Sequence, residues 1–346
     1  MSAQDQISAA ARATARDATF ARPKFVLIAA GWLVLASLPF WAGAYNIATI
    51  RDVLLFGLFA LSLDFLWGRT GILSFGHAAF FGLGAYGMAI VTIKLGLDPA
   101  SASLLGLLGG TGLAMLAALV VGYFLIFSGV RGTYLTIVTL ALTVIAQHIA
   151  IGWSEVTGGD SGLIGVPPLT FELFGWRYAL SDPSQFYWFV LLLASIILLV
   201  LWRVLSGRYG HILTAIEDNE LRARTIGHHT DRHLLTVFVV SAGIAGLAGA
   251  IYATGTGFVA PDMIGLMLST EVIMWVAVGG RGTLVGPFIG AFVVWWLQQK
   301  ISSIDTKLWP MFIGLFFIAM VFLFPNGVMS LGERGRQLRA RLWRRA

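Results

Sequence analysis

The chain has 346 residues, 58% of them hydrophobic and 12% charged, with a mean hydropathy of +0.83. A soluble domain carries about 25% charge, so the composition excludes an ordinary soluble globule and points to a polytopic membrane protein. The absence of cysteine excludes disulfides, thiolate catalysis and Cys-ligated metals.

Residues 1–24 form a basic segment with Arg12, Arg16, Arg22 and Lys24, and an apolar run starts at Phe25. Ala42-Gly43-Ala44 would suit signal-peptide cleavage. The long charged region and the many spans that follow favour an uncleaved first helix. A bilayer core requires about 20 apolar residues per helix, and such runs lie near 25–43, 53–68, 71–95, 102–128, 132–152, 186–205, 234–256, 264–280, 284–300 and 309–325. The second and eighth are short. The expected fold is therefore an all-α polytopic membrane protein of about ten transmembrane helices.

Ionisable residues within spans are costly and default to functional candidates. Asp64 sits in "LSLDFLWG" near the end of the second run, with Arg69 close enough to pair. His77 lies in the Gly-rich "LSFGHAAF", where the backbone can be irregular only if protein buries it or water lines it. Packing and pathway roles are both open for His77. In the fifth span Thr133, Thr136, Thr139, Thr143 and Gln147 recur at spacings of 3, 3, 4 and 4, which keeps them on one helical face. Such a stripe should face protein or a water-filled path. The alternative is that its hydroxyls bond back to their own helix. Glu271 opens the short eighth span in "LSTEVIMWVAVGG".

Loop 153–185 carries Glu155, Asp160, Glu172 and Asp182 against Arg177 alone. Within it, Gly159-Asp160-Ser161-Gly162 mimics a serine-nucleophile motif, but a Ser among Gly and Asp in a polar loop is an ordinary turn. Loop 206–233 is the reverse, with Arg208, Arg222, Arg224 and Arg232, and the tail 329–346 is Arg-rich. Lys/Arg bias then places both termini and loop 206–233 in the cytoplasm and the acidic loop outside. Ten spans satisfy all of these assignments.

The stretch "SGRYGHILTAIEDNELRARTIG", from Ser206 to Gly227, is too polar for lipid and too short for a core of its own. Thr214 to Thr225 favours one helix, with Gly227 as its stop. Docking to a soluble partner and a solvated linker with Asp218–Arg222 and Glu220–Arg224 pairs are both open; each such pair contributes only about 0.3–0.5 kcal/mol. No phosphate-binding G-x-x-x-x-G-K-[ST] loop and no H-E-x-x-H occurs, so ATP hydrolysis by this chain is not expected. No metal-ligand cluster emerges either. The string Gly68-Arg69-Thr70-Gly71-Ile72-Leu73 is echoed by Gly280-Arg281-Gly282-Thr283-Leu284, a faint sign of an internal repeat.

"GRYGHILTAIEDNELRARTIG" followed by "FVVSAGIAGLAGAIYA" resembles the LivM-type permease subunits of ABC importers for branched-chain amino acids. So do "LSFGHAAFFGLGAYG", "VTGGDSGL", "WVAVGGRGTLVGP" and "LFPNGV", in family order over about residues 53–328. The resemblance implies a transmembrane domain over 25–328 and a coupling loop over 206–233. It places Ala215, Ile216, Glu217, Asp218, Asn219, Glu220, Ala223 and Gly227, with Arg222 and Arg224, at the contact with an ATPase. The family usually has a basic residue where this chain has Glu217, so a compensating basic residue is expected on the ATPase. The implied partners are a second homologous permease, two ATPase subunits that hold ATP and Mg, a periplasmic or extracellular solute-binding protein, and membrane lipid. The implied location is the bacterial inner membrane. Nucleic acid is not an expected partner, and no cofactor is expected on this chain. His77, Glu271 and the Thr133–Gln147 stripe are the pathway candidates. Branched-chain amino acids are the implied solutes, with urea and amides open because "WVAVGGRGTLVG" resembles the urea branch. The rival expectation is a stand-alone secondary transporter or channel using Asp64, His77 or Glu271.

Overall fold

The computed structural model describes residues 31–173, 176–302, 311, 312 and 314–316. The chain divides into two units at Ile47/Ala48. The described part of the first contains an apolar helix, Gly31–Phe40, that tightens to a 3-10 turn over Leu38–Phe40. The basic segment 1–24, the Arg-rich tail and most of the tenth expected span lie outside the described residues.

Every expected span between 53 and 300 falls on a helix. These are α1 (Ala44–Thr70, which crosses the division), α2 (His77–Lys94), α3 (Pro99–Phe127), α4 (Thr133–Gly152) and α5 (Pro183–Leu205). The charged segment forms α6 (Arg208–Asp218) and α7 (Glu220–Thr225), followed by α8 (Thr230–Thr256), α9 (Leu266–Gly279) and α10 (Gly286–Ser302). Among the described residues, five segments are long and apolar enough to cross a membrane: α3, α4, α5, α8 and Pro261–Gly279. Two starts are legible as Asp-Pro: Asp98 accepts the Ala100 amide and Asp182 the Ser184 amide, each before a proline at the first helical position.

The structure corrects three expectations. The second span is not short, because α1 runs 27 residues and includes Arg51 and Asp52. The third begins its helix only at His77, since Gly71–Gly76 is not helical. The fold is not purely helical: β1 (Leu163–Ile164) pairs antiparallel with β4 (Phe258–Val259), and β2 (Thr170–Leu173) forms a hairpin with β3 (Trp176–Ala179). The Gly159–Ser161 stretch is a 3-10 turn closed by Gly162 N–H on Gly159 O, as its composition indicated.

Helices α2, α3 and α8 pack most closely. In α3 the buried face repeats small residues every fourth position: Ala102, Gly106, Gly110, Ala114, Ala118 and Gly122. Its large apolar side chains, such as Leu108, Leu116 and Phe124, point outward. That inversion suits a membrane, where small residues let backbones approach and bulky ones meet lipid. A Cβ on Gly110 would sit 2.5 Å from Gly84 O, and one on Gly84 would collide with Gly246 O. Helix α8 is central, with 67% of its apolar window buried, against 22% for α3, α4 and α5.

The loops segregate into two sets of contacts. At one end the segments after α3 and α9 meet α7 and α6 through Arg131–Glu220 and Arg281–Glu217, and Arg69 at the end of α1 joins them by donating to Gly282 O. At the other, Arg177 pairs with Asp98 at 2.8 Å, Lys94 reaches Glu155 O, and β1 meets β4.

Gly84→Ala should lower the thermal unfolding midpoint in detergent, because overpacking of this kind costs about 1–3 kcal/mol. Gly112→Ala on α3, where an added Cβ meets nothing within 4 Å, should leave it unchanged or raise it. Equal midpoints for the two variants would show that the α2–α8 approach is not tight.

Candidate functional site

The charged segment is two helices rather than one. Asn219 breaks it with φ −162° and ψ 101°, and its side chain caps α7 by accepting the Arg222 amide at 2.9 Å. Gly227 stops the segment at φ +100°. Leu213, Ile216 and Ala223 are buried and anchor both helices to the body. Ile216 and Ala223 therefore face inward. The exposed side carries Ala215, Asp218, Leu221, Arg222, Arg224 and Ile226. Leu221 and Ile226, absent from the residues carried over above, are 75% and 72% exposed. Their signal was an apolar residue at a position that the amphipathic pattern leaves facing out.

Of the two expected local pairs, Glu220–Arg224 forms at 3.3 Å, while no Asp218–Arg222 contact occurs among the described residues. The larger network was not legible. Arg131, from the α3–α4 connection, pairs with Glu220 at 3.0 Å and with Asp231 at the head of α8. Its other nitrogen donates to Ile126 O and Val130 O. Arg224 pairs with Asp231 at 3.0 Å and donates to Thr230, which donates to Glu220. The Arg131 hydrogen bonds outweigh partial burial and hold the Glu220 carboxyl below the usual glutamate range. Glu217 is compensated within the chain, by Arg281 at 2.8 Å, and Arg281 also lies over the Trp67 ring.

Asp64 and Arg69 do not pair directly. Both grip the backbone of one residue: Gly282 N–H donates to Asp64 at 2.6 Å, and Arg69 donates to Gly282 O at 3.2 Å. The two echoed strings therefore touch, and a Cβ on Gly68 would lie 2.7 Å from Gly282 Cα. Between this clamp and the charged segment lies a cavity of about 360 Å³, lined by Thr70–Ile72, Arg131–Gly132, Leu135, Ile216–Leu221 and Leu234.

The stripe on α4 faces inward at its centre. Thr139 and Thr143 are buried, Thr136 and Gln147 are half-buried, and Thr133 is exposed. Its hydroxyls serve the irregular Gly71–Gly76 segment: Thr136 donates to Leu73 O at 3.0 Å, Phe75 N–H donates to Thr139 at 3.2 Å, and Thr143 donates to Phe75 O at 3.0 Å. The same hydroxyls lie near their own helix carbonyls. The two readings of the stripe therefore hold together. Gln147 ends the stripe and donates to Asp262 at 3.4 Å.

His77 is fully buried at the first position of α2. It stacks on Phe59, and its Nε2 lies 2.8 Å from Ser62 Oγ and 3.5 Å from Ser241 Oγ. Because Ser62 donates to Phe59 O at 2.6 Å, it is placed to accept from Nε2–H. Glu271 is half-buried on α9 and forms part of the electrostatic surroundings of Tyr252, with Arg51 and Asp52. Arg51, overlooked because it sits just ahead of the apolar run, is buried. It pairs with Asp52 at 2.8 Å, donates to Gly255 O and lies over Phe186. The structure brings the charged segment together with Arg131 and Arg281, and the stripe with Asp262. It does not bring His77 to the stripe's hydroxyls or to Glu271. Among the described residues no group of His, Asp or Glu is arranged to hold a metal.

A family model described as branched-chain amino acid transport system / permease component matches residues 46–321. The chain is 29% identical over 339 residues to the high-affinity branched-chain amino acid transport system permease protein LivM of Escherichia coli K12, covering 91% of this chain and 77% of that protein. It is 28% identical to LivM of Salmonella typhimurium, covering 88% and 73%. It is 27% identical to the autoinducer 2 import system permease protein LsrC of Salmonella paratyphi B, covering 72% and 76%. No solved structure matches the chain.

Glu220 binds its partners as a carboxylate with a lowered pKa. Its contribution to stability is present above the ordinary glutamate value of about 4.3 and is lost as pH falls through the lowered one. Glu220→Gln should therefore cost about 1–2 kcal/mol at pH 7, with the gap to the parent closing only in acid. Denaturation from pH 7 to pH 3 tests this, and a gap that persists unchanged into acid would deny the carboxylate its role.

Proposed function

The chain belongs to the family of branched-chain amino acid transport permease components, and from that premise we propose how it works. It is a multi-pass permease subunit of an ABC importer in the bacterial inner membrane, with about ten spans and both termini cytoplasmic. The segregation of loop contacts supports this topology. Of the segments with an expected basic bias, loop 206–233 is the one described; it meets Arg131 and Arg281 at one end, and the acidic loop lies with the other set of contacts. The LivM relatives favour branched-chain amino acids over the urea branch.

The observation that carries the proposal is the two-helix charged segment. It is anchored from below by Leu213, Ile216 and Ala223, braced by Arg131 and Arg281, and left with Leu221, Ile226, Asp218 and Arg222 facing outward. Such a surface suits a soluble ATPase that presents an apolar groove rimmed by both signs of charge. Glu217 and Glu220 are spoken for internally and act as fasteners rather than contacts. ATP-driven closure of two partner ATPases pushes the segment toward the cavity beneath it and turns the path from one side to the other. A second permease and a solute-binding protein complete the importer. The stand-alone transporter reading fares less well, since His77 is locked among Phe59, Ser62 and Ser241.

Purification from the native membrane in mild detergent, read by mass spectrometry, should recover two nucleotide-binding chains and a second permease. A chain that comes alone and moves solute into liposomes without ATP would overturn the reading. In the assembled importer, Leu221→Ser with Arg222→Glu should weaken ATPase attachment by roughly tenfold and lower transport per ATP. Arg224→Glu is a poorer probe, because it breaks the internal network as well.

A further inference from the structure

The end of the α4 stripe remote from α6 holds a polar group that the expected pathway residues do not account for. Gln147 leads to Asp262, which lies on the 3-10 turn Pro261–Met263 between β4 and α9. This turn does not sit clear of the helices. A Cβ on Gly82 of α2 would collide with Ile264, and one on Gly265 would lie 3.0 Å from the Gln147 amide. One helical turn beyond Gly82, Tyr86 is 4% exposed, and its hydroxyl has no hydrogen-bond partner among the described residues. The turn that carries Asp262 packs against the same helix, and Asp262 contributes to the electrostatic surroundings of this hydroxyl. Asp262 itself is exposed, and its one side-chain bond among the described residues, to Gln147, is long at 3.4 Å. A buried phenol without a partner is unfavourable, and a carboxylate with a single long bond retains open acceptor sites. An exposed carboxylate, the amide that reaches it and an unpartnered buried phenol thus sit on three elements that pack together where the stripe ends.

We propose that Asp262, Tyr86 and Gln147 form a station that takes the primary ammonium group of the solute as it enters the path. An ammonium offers three donors. The carboxylate, the phenol oxygen and the Gln147 carbonyl oxygen supply three acceptors once the amide turns over. The carboxylate provides the charge-assisted bond and the phenol loses its orphan state. The apolar side chain of the solute is left to the hydrophobic surroundings of α2 and α9. This station rests on the amino-acid import reading above and adds to it a solute contact outside the expected stripe.

The test uses the complete importer in proteoliposomes, with its binding protein and labelled leucine. Asp262→Asn should cut uptake per ATP hydrolysed by about tenfold or more, and Tyr86→Phe by about three- to tenfold. Asp262→Glu, which keeps the charge, should stay within about threefold of the parent. ATP hydrolysis stimulated by the binding protein should persist in all three, which separates a solute contact from a loss of assembly. If Asp262→Asn fails to assemble, Tyr86→Phe carries the test. Parental uptake by Asp262→Asn, or equal losses in the Asn and Glu variants, would overturn the station while leaving the importer reading intact. A parent complex that hydrolyses ATP but moves no branched-chain amino acid would sink the import reading and the station with it.

Discussion

The close approach of three helix backbones is the constraint from which the rest of this molecule follows. Between α2, α3 and α8, Gly84, Gly110 and Gly246 meet through main-chain atoms, with Gly249 against Phe81 O a turn away. Lipid offers no hydrophobic drive for helices to associate, so packing of this kind must supply it. With these three helices fixed, α4 and α9 are held around them, and His77 is enclosed where α1, α2 and α8 converge. The buried bond from Ala78 N–H to Ser269 adds α9 to the same junction.

That packing leaves a difficulty at Gly71–Gly76, where the chain gives up its helix beside buried helices. Unpaired backbone groups away from water cost several kcal/mol each, so the segment needs donors and acceptors at its own spacing. Helix α4 supplies them. Thr136, Thr139 and Thr143 stand about one turn apart and meet Leu73 O, Phe75 N–H and Phe75 O in sequence. A threonine hydroxyl can serve both its own helix and a neighbour, which is why a stripe of threonines, rather than of larger amides, does this work. The same stripe explains how irregular backbone and a fully buried His77 coexist in one region.

Much of this was legible because it depends on local chemistry. Apolar length located the helices and the threonine spacing fixed an inward face. The break at Asn219 escaped notice because helix formers surround it and only the cap geometry reveals it. Arg131 escaped for another reason. Its partners Glu220 and Asp231 lie 89 and 100 residues away, and no pattern within one helix encodes such a pairing. Asp262 drew no notice, because the packing of a turn against neighbouring helices is not written in its hydropathy. The LivM resemblance drew attention to the charged segment, but it could not say which of its residues face inward.

These pieces define how a push on α6 and α7 would travel. Glu220 ties α7 to Arg131 at the foot of α4 and, through Arg131, to Asp231 at the head of α8, while Glu217 ties α6 to Arg281 beyond α9. Displacement of the segment therefore acts on three spans at once rather than on a flexible loop. From α4 the threonines carry it to Gly71–Gly76, the segment that joins α1 to α2 and the part of the described core without a helical ladder of its own. Rigid helices resist bending, so motion concentrates where hydrogen bonds come from a neighbour and can be exchanged one at a time. On this view the glycine-packed trio is the fixed frame. On the same view the α4 stripe would shift against it, and its far end is where Gln147 meets Asp262.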